Sequence, residues 1–427
     1  MARSGGGGLF TIAVHKSSPG TGSEGRGLGA TAFKRDVTHA AASPAATAGM
    51  ADFARAVFAG RDLQREWDAL MARATSVPAD VGAMLDLSTI LQLIGQRDQG
   101  LALQADAVAR QRCYRKAIGT GEGPRLLALV AAGDLMASTP VEFLLTGWNG
   151  ELTLLFLKAG ESLAEPVPDH DIAMLAVGES DANAPILAAL APHLAGWRSP
   201  VLNGAPARIA ALGRVSAAER LTGIPAINSP PTRRLTRAEL AAADGFPMIV
   251  RPVDSHAGTG LEKLESPAGV LDYLGRHAGA LFYAQPFVDY AGPDGRFRKL
   301  RVALVEGRPF VVHMAVSDHW MVHYLNAGMA EDAAKRAEEQ QVFESFESGF
   351  AARHAGAFKA LARAFGLDYF AIDCAEDREG RLLVFEADTA MIVHDMDPPD
   401  LYPYKAPAIR KLFAAFQALV ERKARGA

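Results

Sequence analysis

One stretch of the sequence, DYFAIDCAEDREGRLLVFEAD, constrains the fold of this chain more than any other. Two apolar runs, FAIDC and LLVFEAD, flank the turn-prone segment EDREG, and this pattern predicts a β-hairpin. Because side chains alternate along a strand, Glu386 and Asp388 are expected to point to the same face. A turn centred on residues 377–380 would put Asp373 opposite Val384 and diagonal to Glu386, about 7–8 Å away.

Three carboxylates on one face of otherwise apolar strands repel one another unless a cation lies between them. Mg²⁺ is a hard ion that takes oxygen ligands and commonly shares them with phosphate groups. We therefore predict that Asp373, Glu386 and Asp388 bind Mg²⁺. The alternative is a solvent-facing sheet that carries acidic side chains, but the neighbouring Phe370 and Phe385 indicate a largely buried hairpin.

A second feature is the segment FPMIVRPVDSHAGTGLEKL, which predicts a strand followed by a loop of small residues. The strand ends in the basic residue Arg251. Small residues let backbone N–H groups approach phosphate oxygens closely, and a cation offsets the phosphate charge. The alternative is an ordinary glycine-containing hairpin loop. The loop residues considered as phosphate ligands are Ser255, His256, Gly258, Thr259 and Gly260.

Two further segments are weaker signals when they are taken alone. AQPFVDY is an apolar strand that runs into an acidic linker, where backbone groups can recognise adenine and Asp289 is available to a ribose hydroxyl. RFRKLRVAL begins a strand with several basic residues, and arginine offers paired donors to phosphate or carboxylate. For Arg298 and Lys299 an ordinary charged strand end explains the sequence equally well. Arg301 lies inside the strand, where a charged side chain needs another reason.

The order of these features resembles the ATP-grasp superfamily, especially the branch that contains glutathione synthetase and the ribosomal-protein glutamate ligase. The resemblance covers about residues 139–405 and is strongest in PMIVRPVDSHAGTG and in LDYFAIDC with LLVFEAD. It implies an ATP-grasp fold, with two α+β subdomains, preceded by a small Rossmann-like α/β domain. The expected fold class is therefore mixed α/β and α+β, with an additional helical region at the N-terminus.

The resemblance also implies roles for individual residues. Arg214 and Arg251 match two lysines that hold the phosphates of ATP, and arginine keeps the charge with a different geometry. Arg301 is expected to hold the transferring phosphoryl group. One or two Mg²⁺ ions, with Mn²⁺ as a substitute, are implied at the three carboxylates, although the family usually has asparagine where this chain has Asp388. The residues expected around adenine and ribose are Gln285, Phe287, Val288 and Asp289.

The rest of the chain divides into segments that differ in composition and hydrophobic periodicity. Residues 1–50 are rich in Gly, Ala, Ser and Thr and are predicted to be a disordered extension. Residues 51–122 have helical periodicity and weakly resemble one tetratricopeptide unit, so they either dock a protein partner or pack on the rest of the chain. Residues 123–205 alternate apolar runs and helical stretches, as a small parallel α/β layer does. Residues 206–427 are assigned to the ATP-grasp domain.

Three residues are candidates for contact with substrates. Asn203 ends the last predicted strand of the α/β layer, where open sheets of this kind bind ligands. His319 and His394 belong to a group of histidines near the predicted metal end of the site. A single histidine is more often structural, so each of these assignments has that alternative.

Composition excludes several classes of protein. A formal net charge of −4 without a concentrated basic run excludes a nucleic-acid-binding role. Two distant cysteines exclude a disulfide framework and a thiolate zinc site, and they favour a reducing compartment. No apolar run approaches the roughly 20 residues that a membrane helix needs. A cytoplasmic enzyme is expected.

The expected activity is that of an ATP-dependent carboxylate–amine ligase. A carboxylate of a small molecule or peptide would attack the γ-phosphate to give an acyl phosphate, and an amine would then displace phosphate and form an amide. The alternatives are a small-molecule kinase on the same fold and a catalytically inactive nucleotide-binding scaffold. Related enzymes are often dimers or tetramers, so a homo-oligomer is expected as well.

Overall fold

The computed structural model describes residues 43–426 except 162, 164, 165, 254, 256 and 257. The predicted extension therefore lies outside the described residues up to position 42. The first part of the described chain consists of β1 (Ala45–Ala46), α1 (Met50–Phe58), α2 (Gln64–Ala74), α3 (Val81–Leu93), α4 (Arg97–Arg110), β2 (Cys113–Ile118), β3 (Arg125–Ala131), α5 (Val141–Leu144), β4 (Gly150–Leu157), β5 (Ile172–Leu175), α6 (Ala184–Ala195) and β6 (Val201–Leu202).

The strands of this part form one sheet in the order β1-β2-β4-β3-β5-β6. β3 is parallel to β4 and to β5, and β6 is parallel to β5. The apolar runs RLLALVAAG, LTLLFLKAG, DIAMLAVG and SPVLN contain these four strands, so the predicted parallel layer is confirmed. Their side chains are almost wholly buried because helices and the rest of the chain cover both faces.

The sheet also has two strands that were not predicted. β2 pairs antiparallel with β4, and β1 pairs parallel with β2. The sheet therefore begins at Ala45 rather than after residue 122, and the predicted disorder through residue 50 is wrong for residues 45–50. Two alanines show no strand period, so their pairing depends on the edge that β2 offers.

The middle of the chain forms a second, antiparallel sheet in the order β10-β9-β11-β8. Its side chains form a separate small core that includes Val250, Val270, Tyr273 and Phe282. The elements from residue 206 to this sheet's last strand are α7 (Pro206–Ala210), α8 (Arg214–Leu221), β7 (Ile227–Asn228), β8 (Arg233–Thr236), α9 (Arg237–Ala241), β9 (Met248–Pro252), β10 (Glu262–Leu264), α10 (Pro267–Arg276) and β11 (Leu281–Pro286).

The last part forms a third sheet in the order β13-β12-β14-β15-β7. Its apolar side chains share their cores with the first sheet, as Leu127 and Ile372 do in one core and Leu126 and Tyr369 in another. Its elements are β12 (Phe297–Val305), β13 (Arg308–Ser317), a 3₁₀ helix (Tyr324–Asn326), α11 (Ala333–Ser345), α12 (Phe350–Arg353), α13 (Ala355–Phe365), β14 (Tyr369–Glu376), β15 (Leu382–Asp388) and α14 (Lys405–Ala424).

This arrangement confirms the predicted fold class of an α/β layer followed by two α+β units. Two elements differ from the prediction. The sequence KLRVALVEGRPFVVHMAV favours one long strand over residues 299–316. It is a hairpin instead, because Glu306 and Gly307 both have positive φ and reverse the chain. The charged run over about residues 329–365 favours a long helix broken near Gly349. The structure has three helices there, so the break at Gly349 is confirmed and a second break, at His354, was not predicted.

The hairpin of β14 and β15 has a different register from the predicted one. A β-bulge between Asp373 and Cys374 puts Cys374 opposite Val384 and Asp373 directly opposite Glu386. The predicted diagonal relation of these two acids is therefore wrong. The bulge brings the two carboxylates closer together than an ideal ladder from the turn would.

The N-terminal helices pack on the first sheet. α3 and α4 form the predicted helix–turn–helix pair, and in the described residues no second pair follows, because the chain enters β2 at Cys113. The tetratricopeptide-like assignment is not confirmed. No helix of the described residues is long and apolar enough to cross a membrane.

Candidate active site

The site is built on three adjacent strands of the third sheet. β12 lies next to β14, and β14 lies next to β15, with Arg301 opposite Asp373 and Asp373 opposite Glu386. Residues two apart on one strand share a face, so Lys299 joins Arg301 and Asp388 joins Glu386. The fold therefore collects two cations and three carboxylates on one face of the sheet.

Asp373 is the centre of this group. Its side chain is almost wholly buried, and Oδ1 accepts a hydrogen bond from Arg301 Nε at 2.8 Å. Oδ2 lies 2.8 Å from Lys299 Nζ and 3.2 Å from Arg301 Nη2. Burial alone would raise the pKa of Asp373, but the charges of Arg301 and Lys299 outweigh burial and lower it well below its usual range. Asp373 is thus an ionised carboxylate that two cations neutralise.

Glu386 forms the next ion pair, with a residue from outside the sheet. Arg214 is the first residue of α8, and its Nη2 lies 2.9 Å from Glu386 Oε2. Burial raises the pKa of Glu386, but the charges of Arg214, Arg251 and Lys299 together outweigh it, so the net shift is downward. The predicted phosphate residue Arg214 therefore lies in the same site as the predicted metal residues.

Asp388 has no such partner. It forms no ion pair within the part of the chain that the structure describes, and Oδ1 accepts a hydrogen bond from the backbone N–H of Ala390 at 2.9 Å. Burial, with smaller contributions from the charges of Glu386 and Glu179, raises the pKa of Asp388 to about 7. A positive charge placed beside Asp388 would remove this electrostatic penalty.

Two of the three predicted carboxylates fit Mg²⁺ as ligands. Glu386 has one oxygen outside its ion pair, and Asp388 has no cationic neighbour in an ion pair among the described residues. Mg²⁺ is usually held by one or two carboxylates together with the phosphates of a substrate, which matches these two residues. Asp373 is engaged by Arg301 and Lys299. The described residues hold no cluster of three metal-ligating side chains, so the predicted three-carboxylate group is not formed.

Arg251 reaches the site from the second sheet. Burial and the nearby charge of Arg214 lower the pKa of Arg251 to about 10, and the charge of Glu386 acts in the opposite sense. The guanidinium donates from Nε to Ser255 Oγ at 3.0 Å and from Nη2 to the Ser255 carbonyl oxygen. The predicted phosphate cation is thus bonded to the small-residue loop that follows it.

The remaining loop residues have a mixed outcome. His256 lies outside the described residues. Gly258 and Gly260 have φ of 76° and 65°, a conformation that L side chains rarely adopt, and Thr259 lies in the turn between them. The Gly260 carbonyl accepts a hydrogen bond from the hydroxyl of Tyr273 at 2.7 Å. The far end of the loop is therefore anchored to the second sheet's own core.

The predicted adenine segment follows β11. Gln285 Oε1 accepts a hydrogen bond from Thr232 Oγ1 at 3.0 Å. The ring of Phe287 has Lys263 Nζ 4.1 Å from its centroid and Trp320 5.7 Å away in a T-shaped contact. Lys263 is a side chain beside this segment that the sequence did not single out. Trp320 belongs to the group of histidines and aromatic residues after the β12 arginines that the sequence marked without a role at the base.

The next two residues of this segment have partners of their own. Val288 packs against the large core of the first and third sheets. The carboxylate of Asp289 is paired with Arg378 Nη2 at 2.6 Å, and both side chains are exposed, so its role toward a ribose hydroxyl stays a prediction. Arg378 lies in the β14–β15 turn, which is distant in sequence, so no local pattern pointed to this pair.

Asn203 has a structural position rather than one that faces the site. Its side-chain N–H donates to the Tyr369 carbonyl at 2.7 Å, and its Oδ1 accepts from the Tyr369 backbone N–H at 3.0 Å. Its own backbone N–H donates to Asp368 Oδ2 at 2.8 Å. Asn203 therefore joins the first sheet to the third through bonds of both its side chain and its backbone, and its contact with a substrate stays a prediction.

The two predicted substrate histidines are in different surroundings. His319 is exposed, and its backbone N–H donates to Ser317 Oγ at 3.0 Å. His394 lies against the rings of Phe58 and Phe143, with centroid distances of 6.1 and 6.4 Å. Burial lowers the pKa of His394, which keeps the imidazole neutral near pH 7.

Lys299 is a site residue that sequence reasoning missed. It was assigned equally to an ordinary strand end, yet it contacts the central carboxylate. The signal was its position two residues before Arg301, which puts both cations on one face of a strand.

A buried lysine network beside the site was missed as well. Lys405 Nζ lies 3.3 Å from Glu339 Oε1 and 3.5 Å from Asp397 Oδ2, and it also contacts the ring of Tyr324. The ring of Tyr324 in turn contacts His313 in a tilted arrangement, with 4.8 Å between the centroids, and His313 lies opposite Arg301 across β12 and β13. The network joins helices that are distant in sequence, which is why no motif revealed it.

No protein-family model matches this sequence, and no curated protein sequence matches it either. Among solved structures the chain is similar to a RimK-domain ATP-grasp protein from Sphaerobacter thermophilus, with 17% identity, a TM-score of 0.38, and coverage of 69% of this chain and 99% of that one. It is similar to a D-alanine–D-alanine ligase from Bacillus anthracis complexed with ATP, with 13% identity, a TM-score of 0.41, and coverage of 70% and 99%. A D-alanyl-alanine synthetase A from Vibrio cholerae has 12% identity, a TM-score of 0.40, and coverage of 68% and 99%. At these identities and TM-scores, an assignment of function has to rest on the chain's own contacts.

Proposed function

We propose that this protein is an ATP-dependent carboxylate–amine ligase that forms an amide through an acyl phosphate. The observation that supports this most directly is the meeting of four cations with an acidic pair. Arg214 and Arg251 come from separate elements and approach Glu386 on the third sheet. On the neighbouring strand Asp373 is paired with the other two cations, Lys299 and Arg301. Such a group of cations can neutralise the charge of a triphosphate while its γ-phosphoryl group is being transferred.

The cations have separable roles in this proposal. Arg214 and Arg251 would bind the β- and γ-phosphates, since both reach the site from outside the third sheet. Arg301 would stabilise the transferring phosphoryl group. Burial lowers the pKa of Arg301, but the charge of Asp373, its hydrogen bonds to Arg301 and the charge of Glu386 together raise the pKa above its ordinary value, so Arg301 is charged. Asp373 holds Arg301 in position. The expected base segment is Gln285–Val288, with the aromatic side chains beside it.

Glu386 and Asp388 are the residues that would hold Mg²⁺. The ion would supply positive charge to the phosphate oxygens when it is bound. Binding would also replace the unfavourable proximity of Asp388 to Glu386 by attraction to a common cation, which explains why two acids lie two residues apart in a half-buried site.

The reaction then proceeds in two displacements. An oxygen of the substrate carboxylate attacks the γ-phosphorus, the bond to the β-phosphate oxygen breaks, and ADP leaves. The nitrogen of an amine attacks the acyl carbon, inorganic phosphate leaves with the bonding electron pair, and the amine loses one proton as the amide forms. Arg301 and Lys299 face the transferred group, so their charges stabilise both transition states.

Calorimetric titration with ATP, in the presence and absence of Mg²⁺, tests the nucleotide site. We expect magnesium-dependent binding in the wild type and at least a tenfold weaker binding in Glu386→Gln. The matched control is Glu379→Gln, the same chemical change in the exposed turn of the same hairpin. Unchanged binding in Glu386→Gln would contradict the metal assignment.

A screen of carboxylic acids and amines for ADP release tests the ligase reaction. Release that requires both an acid and an amine supports amide formation. Release with a hydroxyl compound and a stable phosphoester product would identify a kinase instead. Nucleotide binding without ADP release in any combination of acid and amine would leave only the scaffold alternative.

The substrates in this proposal are a small-molecule or peptide carboxylate and an amine. Both cysteines of the described chain are unpaired, which supports a reducing compartment such as the cytoplasm. A homo-oligomer is part of the proposal through the family resemblance alone. A protein partner on the N-terminal helices is not, because buried faces of α1 and α3 contact this chain's own segments.

A further inference from the structure

The segment after β15 connects the catalytic face to the N-terminal helices. Residues 389–397, called here the 389–397 segment, contain no helix and no strand. Without the hydrogen bonds of a helix or sheet, the position of this segment depends on side chains that contact it. Near its middle, the Ile392 carbonyl accepts a hydrogen bond from Arg301 Nη1 at 3.3 Å. The segment thus touches the residue that is proposed to stabilise the transferred phosphoryl group.

The other contacts of the 389–397 segment are with α1 and its surroundings. Arg55 Nη2 lies 2.9 Å from Asp395 Oδ1, and the same Nη2 donates to Thr146 Oγ1 at 2.6 Å. His394 lies beside the ring of Phe58 on α1. Ile392 and Met396 pack against the core that contains Phe53. The side chains of α1 therefore hold the segment on the side away from the catalytic face.

α1 can act as a fixed support because it is anchored independently of this segment. Glu142 accepts hydrogen bonds from the backbone N–H groups of Met50 at 3.0 Å and Ala51 at 3.2 Å, at the start of the helix. Lys116 on the first sheet lies 2.9 Å from Asp52 and 3.1 Å from Glu142. The helix is consequently tied to the first sheet at one end and to the 389–397 segment along its side.

We propose that α1 supports the 389–397 segment, which borders the catalytic site, and that Arg55 is a positioning residue. Arg55 holds Asp395, the 389–397 segment keeps its course, and the Ile392 carbonyl keeps Arg301 aligned with the transferred group. The catalytic consequence rests on the proposed function, whereas the hold of Arg55 on the segment does not. The N-terminal helices then serve the site within this chain rather than a separate protein partner.

Amide hydrogen exchange measured by mass spectrometry tests the structural part in the full chain. We expect faster exchange in peptides covering the 389–397 segment for Arg55→Glu and for Asp395→Arg, and a return toward wild type in the variant that carries both changes. The control is Arg110→Glu, the same charge reversal in an exposed pair on α4 that is distant in sequence from this segment. Exchange that is unchanged in both single variants would overturn the proposal, whatever the protein's activity.

Release of ADP from MgATP in water, with no second substrate added, tests the catalytic part. A displacement of a catalytic group by about 1 Å can cost a hundredfold in rate, so we expect kcat to fall roughly tenfold to a hundredfold in Arg55→Glu. We expect KM for ATP to stay unchanged, because among the described residues no hydrogen bond or ion pair joins the phosphate residues Arg214 and Arg251 to the segment. Arg55→Lys, which keeps the charge, should recover most of the rate and also serves if Arg55→Glu fails to fold.

Two outcomes would refute positioning even if the segment loosens. One is an unchanged kcat in Arg55→Glu, and the other is a rise in KM for ATP as large as the fall in kcat, which indicates general damage. A wild-type protein that neither binds MgATP nor releases ADP would refute the proposed function. Hydrogen exchange alone would then decide whether Arg55 holds the segment.

Discussion

Replacing Asp373 by asparagine removes one negative charge from the centre of the third sheet and leaves two cations facing each other. The carboxylate is 3% exposed and makes contacts of 2.8, 2.8 and 3.2 Å with Arg301 and Lys299. Asparagine has nearly the same shape, so the backbone and the packing should persist. What changes is the electrostatic free energy of two partly buried cations.

The size of the effect follows from burial. Removing one partner of a buried ion pair typically costs about 3–5 kcal/mol, because the remaining charge is left uncompensated. The side chains of Arg301 and Lys299 are 21% and 23% exposed, so water can solvate them in part. We therefore expect the lower end of that range, about 3 kcal/mol. For a cooperative unit of about 150–250 residues, such as residues 206–427, each kcal/mol shifts Tm by about 2–4 °C. A loss of about 3 kcal/mol then corresponds to a fall in Tm of roughly 6–12 °C.

Thermal unfolding followed by circular dichroism, at pH 7.5 with EDTA, measures this effect. Lys299→Met provides a double-mutant cycle, since it removes one of the two cations. The variant with both changes should be more stable than Asp373→Asn alone by at least about 1 kcal/mol. A Tm of Asp373→Asn within about 2 °C of the wild type, or strictly additive effects in the cycle, would refute the reasoning.

The pH dependence gives a further check on the same pair. The pKa of Asp373 is lowered in the folded protein, so the stabilisation is present above the ordinary aspartate pKa of about 3.9. It is lost as the pH falls toward the folded-state pKa. The difference in stability between the wild type and Asp373→Asn should therefore be constant near neutral pH and shrink only below about pH 4.

Two other predictions concern single residues. The pKa of Asp388 is raised to about 7 in the folded protein. Between the ordinary aspartate pKa and this value, the folded protein binds more protons than the unfolded chain. The free energy of unfolding of the wild type without divalent cations should therefore fall as the pH rises toward and through 7. Asp388→Asn should remove this fall, so that its Tm is higher than that of the wild type at pH 8.5 and similar near pH 4. Parallel curves of Tm against pH for the two proteins would contradict the raised pKa of Asp388. Asn203→Ala leaves a buried N–H and a buried carbonyl of Tyr369 without partners and should lower the free energy of unfolding by about 2–4 kcal/mol in urea denaturation, with MgATP affinity unchanged. A loss of affinity without a loss of stability would support the substrate role of Asn203.

The local elements of this fold could be predicted from the sequence because they depend on neighbouring residues. Period-two alternation and turn residues located β14 and β15, and the apolar runs located the strands of the first sheet. The alternation also put Glu386 and Asp388 on one face. Only the residues near each other in sequence were needed for these inferences.

The ion pairs of the site were decided by the tertiary structure. The bulge after Asp373 shifted the register, so this carboxylate met Glu386 across the ladder and Arg301 on the other side. The pairing of Asp289 with Arg378 joins segments 89 residues apart. Loop closure over such distances depends on the whole core and leaves no periodic signal in the sequence.

The sequence by itself determined most of the strands and helices, β1 and β2 excepted, and which residue types lie on each face, since these properties follow from the backbone geometry of a few consecutive residues. The tertiary structure decided which charges neutralise each other, and it alone brought α1 against the 389–397 segment. The physical reason is that an ion pair such as Arg55 with Asp395 forms only after two cores have packed and brought residues 340 positions apart within 3 Å.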